Sequence, residues 1–227
     1  MKLSAHIMIL PRKETFFLEE WINHHLDLGF DKIYVYDNGL ITSEDIYGEN
    51  KPISGEMQKY IEKGIWIKKP NEDYSLDMSD DEIYQNFNSI IDKYDKNKLE
   101  LFSWKYKLDH NYKFPLSHQL AYKHCIENNK SDWWISIDPD EYVILYKHNN
   151  VKDLIQEISM PSIRLKQRVF ETRKKGQPVR EIFKYAMDLD LSKTFVKSPV
   201  NFAITDRKLK IGGSILDKAC GQDCHAT

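Results

Sequence analysis

The sequence predicts an α/β fold with a mostly parallel central sheet flanked by helices. Two observations carry this. Between His6 and Tyr36 an apolar run, a helix-periodic stretch and a β-branched, aromatic run follow one another. Farther on, a second helical stretch leads into the strongly apolar segment Asp132–Ile137, a further strand. Strand, helix, strand at this spacing is a βαβ unit, and parallel strands need such a crossover.

Taken in order, His6–Leu10 is a short buried strand ended by Pro11. Thr15 then has the chemistry of an N-cap, and Phe17, Leu18, Trp21, Ile22 and Leu28 fall largely on one face of a helix that stops near Gly29. Lys32–Tyr36 is the second strand, closed by the turn signal Asp37-Asn38-Gly39. A short helix is expected near Gly55–Lys63 and a third strand at Ile65–Ile67. From Asn71 to Tyr112 the pattern weakens, first acidic and then rich in lysine and aromatics, and reads as an insertion carrying a helix or two. Pro115–Asn128 is helical, with Leu116, Leu120, Ala121 and Cys125 on one stripe. Asp132–Ile137 is a strand, Val151–Ser159 a short helix and Ser162–Phe170 a further strand. Beyond Lys174 the signals are mixed.

The 227 residues suffice for one substantial core and are short for two. Charged residues make up 30% and hydrophobic residues 41%, an ordinary globular balance. With 33 basic and 35 acidic side chains the net charge is −2, so nothing global draws the chain to nucleic acid or an anionic surface. The apolar run Ile7–Leu10 is too short for a signal-peptide core, and no stretch reaches the ~20 apolar residues of a transmembrane helix. Cys125, Cys220 and Cys224 form no disulfide framework, which favours a reducing, cytoplasmic setting.

In parallel α/β sheets, ligands bind beyond the carboxyl ends of the strands. Two acidic sites are expected there: Asp37, and the pair Asp138/Asp140 after the most apolar strand. In extended backbone, residues i and i+2 project to one side, so Asp138 and Asp140 can converge on one cation, with Pro139 stiffening the turn. A D-x-D tripeptide alone commonly marks a solvated turn. Here three carboxylates follow a buried strand, and a cation relieves their repulsion. All-oxygen ligation suits Mg²⁺ or Mn²⁺.

The segment Phe17-Leu18-Glu19-Glu20-Trp21-Ile22-Asn23-His24-His25, followed by Leu28-Gly29 and a strand ending Tyr36-Asp37-Asn38, resembles the opening of family-2-like glycosyltransferases. The likeness is closest to glycosyltransferase family 92 and its relatives. A second block, Ala121-Tyr122-x-x-Cys125 with Trp133 to Glu141, is similar to their A-Y-x-x-C and W-x-x-x-x-D-x-D-E stretches. Order and separation agree from about Ile7 to Leu145. The resemblance implies a GT-A-type (Rossmann-like) fold in one domain, residues 1–145 binding nucleotide sugar and metal and 146–227 forming the acceptor side. It implies a nucleotide-diphosphate sugar donor, UDP-sugar favoured, with Mn²⁺ or Mg²⁺ held by Asp138 and Asp140. By position, Asp37 and Asn38 would meet the nucleoside, with Pro11 and Glu14 nearby. His118 and Gln119 stand close to the position of a family glutamine and are candidate donor contacts; His118 is equally read as a surface or capping histidine.

The expected acceptor is a hydroxyl of a glycan or glycoprotein. If configuration inverts, a carboxylate must deprotonate that hydroxyl. Glu171, at the end of a predicted strand, is preferred over Glu141 and Asp206. Trp21 and Trp134 read as core. His24 and His25, adjacent on a helix, should not face each other as a metal pair. Cys220-Gly221-Gln222-Asp223-Cys224-His225 has only half of a zinc knuckle. Arg173-Lys174-Lys175 and Arg180 are candidates for a diphosphate or acidic acceptor, or a solvated loop. Two other readings stand beside glycosyl transfer: a nucleotide-sugar hydrolase or nucleotidyltransferase, and a non-catalytic glycan- or nucleotide-binding module.

Overall fold

The computed structural model describes residues 1–40, 78–104, 114–159, 162–170, 186–197, 202–205 and 208–211. The helix expected at 55–63 and the strand at 65–67 lie outside the described residues.

Strand β1 (Leu3–Ile9) is buried along its whole length and occupies the middle of a six-stranded sheet. It pairs in parallel with β2 (Lys32–Asp37) on one side and β4 (Trp133–Ser136) on the other. Beyond β2 lies β3 (Leu99–Ser103), again parallel. Beyond β4 the direction reverses: β6 (Ala186–Lys197) is antiparallel to β4, and β5 (Ser162–Phe170) is antiparallel to β6. The order β3-β2-β1-β4-β6-β5 thus joins a parallel half to an antiparallel ribbon. Strands β7 (Phe202–Thr205) and β8 (Lys208–Ile211) form a separate hairpin.

Side-chain alternation divides β1 between two faces. Leu3, Ala5, Ile7 and Ile9 join Ile33, Val35, Ile135 and Ile137 in the main core under helix α1 (Pro11–Asp27), which contributes Leu18, Trp21 and Ile22. On the opposite face Met8, Tyr34 and Tyr36 meet Ala121 and Cys125 of α3 (Phe114–Asn128). The α/β class and the order β1, α1, β2 are as the sequence predicts.

Three details depart from expectation. Helix α1 starts at Pro11, not after Thr15, because proline is pre-set for a first helical turn where its missing N–H costs nothing. Thr15 is no cap; its hydroxyl donates back to the Pro11 carbonyl at 2.6 Å. Among the described residues the supposed insertion contributes two regular elements, helix α2 (Asp80–Ile91) and strand β3 at the end of the sheet. Finally, helix α4 (Val151–Gln156) is shorter than expected and is capped by Asn150, which accepts the Lys152 N–H at 2.8 Å.

A Ser79/Glu82 capping box starts α2. The helix buries Ile83 and Phe87 and is tied to α1 by the ion pair Arg12–Asp80, and the turn that follows it by the ion pair Lys93–Glu19 and the Tyr94 hydroxyl donating to Asn23. No helix among the described residues is long and apolar enough to cross a membrane.

Candidate functional site

Because β1 to β4 run in one direction, their carboxyl ends share one edge of the sheet. Register places Ile9 beside Asp37, and His6 beside Ser136, so Leu10, Asp37 and Asp138 all emerge there. Strand β5 runs the same way as β4, since each is antiparallel to β6, and its end at Phe170 lies toward that edge. Glu171 itself lies outside the described residues, as do Asp206, Arg173, Lys174, Lys175, Arg180 and the segment 220–225.

Asp37 is 4% exposed. Its Oδ1 accepts the Gly39 N–H at 2.9 Å, an Asx turn that Gly39 completes at φ 86°. The Tyr84 hydroxyl of α2 approaches Oδ2 at 3.5 Å, and the Asp37 carbonyl accepts the Trp104 N–H. Asn38 is buried, and its backbone N–H donates to the Ile9 carbonyl at 3.0 Å. Pro11 is buried at the start of α1, and Glu14 is half-buried. Its carboxylate accepts the Leu10 N–H at 2.6 Å, satisfying a donor at the helix start. Four of the six residues expected to contact the donor (Pro11, Glu14, Asp37 and Asn38) therefore stand on one edge. His118 and Gln119 lie on α3, where only the backbone is described.

The acidic segment is not extended. The Glu141 N–H donates to the Asp138 carbonyl at 3.0 Å, which folds Asp138-Pro139-Asp140-Glu141 into a β-turn. Strand alternation therefore does not set the relation of Asp138 to Asp140; the turn does. Glu141 closes the turn a second time, its Oε2 accepting the Asp138 N–H at 2.8 Å. Asp138 is half-buried, Pro139 buried and Asp140 exposed. Carboxylate oxygens are the ligand type of a cation that keeps water and substrate phosphate in its shell, the habit of Mg²⁺ and Mn²⁺, and the turn carries two such groups, on Asp138 and Asp140. Among the described residues no group of three or more His, Cys, Asp or Glu gathers as a metal cluster.

The acidic turn is fastened to α1 by three side chains. The Trp21 indole N–H donates to the Glu141 carbonyl at 2.7 Å. His24 Nε2 donates to the Val143 carbonyl at 2.8 Å, and His25 Nε2 accepts the Val143 N–H at 3.3 Å. Trp21 is thus core and also a donor. The His24 and His25 rings lie 5.0 Å apart despite being neighbours in sequence, because both turn toward the same backbone segment. The spacing Trp21, His24, His25 is i, i+3, i+4, which puts all three on one helix face, though nothing in that spacing names the segment they hold. His25 is fully buried; desolvation, opposed by its bond to the Trp21 carbonyl and helped by neighbouring His24, lowers its pKa to about 3.

On the α3 face, His6 Nδ1 pairs with Ser136 Oγ at 2.9 Å and the Tyr36 hydroxyl with His124 Nδ1 at 2.9 Å. Burial raises the Tyr36 pKa and pushes the Cys125 thiol up to about 12, so both stay protonated.

No family model matches the chain, and no curated protein matches it in sequence. Among solved structures, S. aureus TarS residues 1–349 superpose with a TM-score of 0.34 at 14% identity, covering 78% of this chain and 39% of that one. The chain therefore spans well under half of that protein's length. UDP-glucose pyrophosphorylase complexed with UDP-glucose gives 0.37 at 10% identity, covering 87% and 76%. CMP:2-keto-3-deoxy-manno-octonic acid synthetase complexed with CTP gives 0.36 at 10%, covering 87% and 74%. Likeness this distant assigns no residue a role.

Proposed function

We infer that the chain is a metal-dependent glycosyltransferase that moves a sugar from a nucleotide-diphosphate sugar, UDP-sugar favoured, to a hydroxyl of a glycan or glycoprotein. One observation carries the reading. The two sequence blocks that resemble glycosyltransferase family 92, far apart in the chain, meet at one sheet edge and are hydrogen-bonded to each other through Trp21 and Glu141, with His24 and His25 holding Val143 just beyond the second block.

In this reading Pro11, Glu14, Asp37 and Asn38 shape the nucleoside side. Asp138 and Asp140 would hold Mn²⁺ or Mg²⁺, whose charge would offset the negative charge growing on the leaving diphosphate. The acceptor oxygen forms a bond to the anomeric carbon as the carbon–oxygen bond to the diphosphate breaks. Under inversion the acceptor proton passes to a carboxylate, for which Glu171 is the candidate. Residues 146–227 would carry the acceptor side.

The test is turnover of UDP- and GDP-sugars with Mn²⁺ and a panel of glycan acceptors, product sugar being separated from free sugar. A glycosylated acceptor supports the reading. Free sugar regardless of acceptor would make the protein a hydrolase, and nucleotide binding without turnover would make it a binding module.

A further inference from the structure

We propose that Trp21 and His24, with His25 beneath them, are positioning residues that set the cation affinity of the Asp138–Asp140 turn without touching the cation. The proposal rests on the reading that these two aspartates hold a divalent ion.

The sheet ladder of β4 ends at Ser136, and residues 141–145 follow in no regular structure. No strand pairing holds this stretch; one face of α1 takes its place. The Glu141 carbonyl receives the indole N–H, and Val143 is gripped at both its carbonyl and its N–H. Glu141 in turn closes the acidic turn on the Asp138 N–H. The fastening therefore runs from α1 through the Glu141 backbone to the backbone that presents Asp138 and Asp140.

The same helix begins at the nucleoside side of the edge, where Glu14 caps Leu10. Seven residues separate Glu14 from Trp21, about 10 Å along a helix axis. Helix α1 is thus a rigid spacer between the nucleoside side and the cation turn. Partners that orient metal ligands without binding the metal change affinity on the order of tenfold or more when removed.

The test is Mn²⁺ titration in the presence of UDP, read as free Mn²⁺ by electron paramagnetic resonance. Trp21→Phe deletes the indole donor and keeps an aromatic ring. His24→Leu deletes the imidazole donor of a half-buried side chain, and His24→Gln supplies an amide donor where Nε2 stood. Ile22→Val, on the same helix with no polar role, controls for lost stability. The expected result is Mn²⁺ binding weakened on the order of tenfold in Trp21→Phe and His24→Leu, restored to near wild type in His24→Gln and unchanged in Ile22→Val. Wild-type affinity in both deletions, or equal weakening in Ile22→Val, overturns the proposal while the cation reading stands. A wild type that binds no Mn²⁺ overturns the cation reading first, and the positioning role with it.

Discussion

His25 takes the Val143 amide proton on Nε2 and gives its own Nδ1 proton to the Trp21 carbonyl at 2.8 Å. A carbonyl can only accept and an amide N–H can only donate, so the ring is fixed as the neutral Nδ1–H tautomer. It is enclosed by Trp21, Phe30 and Tyr142, with ring centroids 4.0, 5.4 and 5.9 Å away. Protonation would place a second N–H against the Val143 N–H inside the core.

The first prediction is a pH dependence of stability. His25 in the unfolded chain takes a proton near the ordinary value of 6.5; in the folded chain it does so only at about 3. Between these values the unfolded state binds more protons, so stability is full above 6.5 and falls as pH drops toward 3. The slope for one such proton is about 1.4 kcal/mol per pH unit. Urea denaturation from pH 7.5 to 4.5 measures the loss, and ¹⁵N spectra of the His25 ring assign it. The ring should hold its neutral Nδ1–H signature to pH 5; an ordinary titration midpoint would contradict the account.

A second prediction concerns Gly29. Its φ is 102°, and a β-carbon there would come within 2.3 Å of the Asn150 side chain that caps α4. Gly29→Ala should therefore cost about 1–3 kcal/mol, combining left-handed strain with loss of a cap. Asn150→Ala alone should cost about 1 kcal/mol, and the double variant less than the sum, because the cap can be lost only once. Denaturant melts of the three variants check this; additivity would show that the two sites are not in contact.

Cys125 provides the third. Its thiol is 2% exposed, and burial holds its pKa near 12. The thiolate is the reactive form, so Cys125 should resist iodoacetamide at pH 8 in the native protein and label fully in denaturant. Peptide mass spectrometry reads the site, and rapid native labelling would mean that α3 does not pack on Tyr36 as described.

How much of this was legible in the sequence depended on whether a segment's partner was close along the chain. The elements β1, α1 and β2 announce themselves, because their apolar periods switch from a strand's to a helix's and back within one βαβ unit. Strand β3 is hidden because it ends the sheet among the described residues and is mostly uncovered. Of its residues only Leu99 is buried, and Leu101 is 37% exposed, so the apolar pattern that marks a strand is scarcely needed there. In β6 the alternation of Met187, Leu189 and Leu191 breaks at Lys193, and pairing with both β4 and β5 is a long-range event that no local pattern encodes. The site shows the same division. Asp37 and the acidic turn could be placed at strand ends from sequence. That Tyr84 of α2 reaches Asp37, and that Trp21, His24 and His25 fasten Glu141 and Val143, could not, since those contacts span 47 to 120 residues.

In the proposed function the Asp138–Asp140 turn and the Asp37 edge together bind a nucleotide-diphosphate sugar with a divalent cation. Calorimetric titration of UDP- and GDP-sugars into wild type and Asp140→Ala, with and without Mn²⁺, tests it most directly. One nucleotide class should bind wild type in a Mn²⁺-dependent manner, and Asp140→Ala, which alters an exposed side chain, should lose the Mn²⁺-dependent gain. Absence of binding by any nucleotide sugar under every cation condition, in a wild type that melts cooperatively, would contradict it.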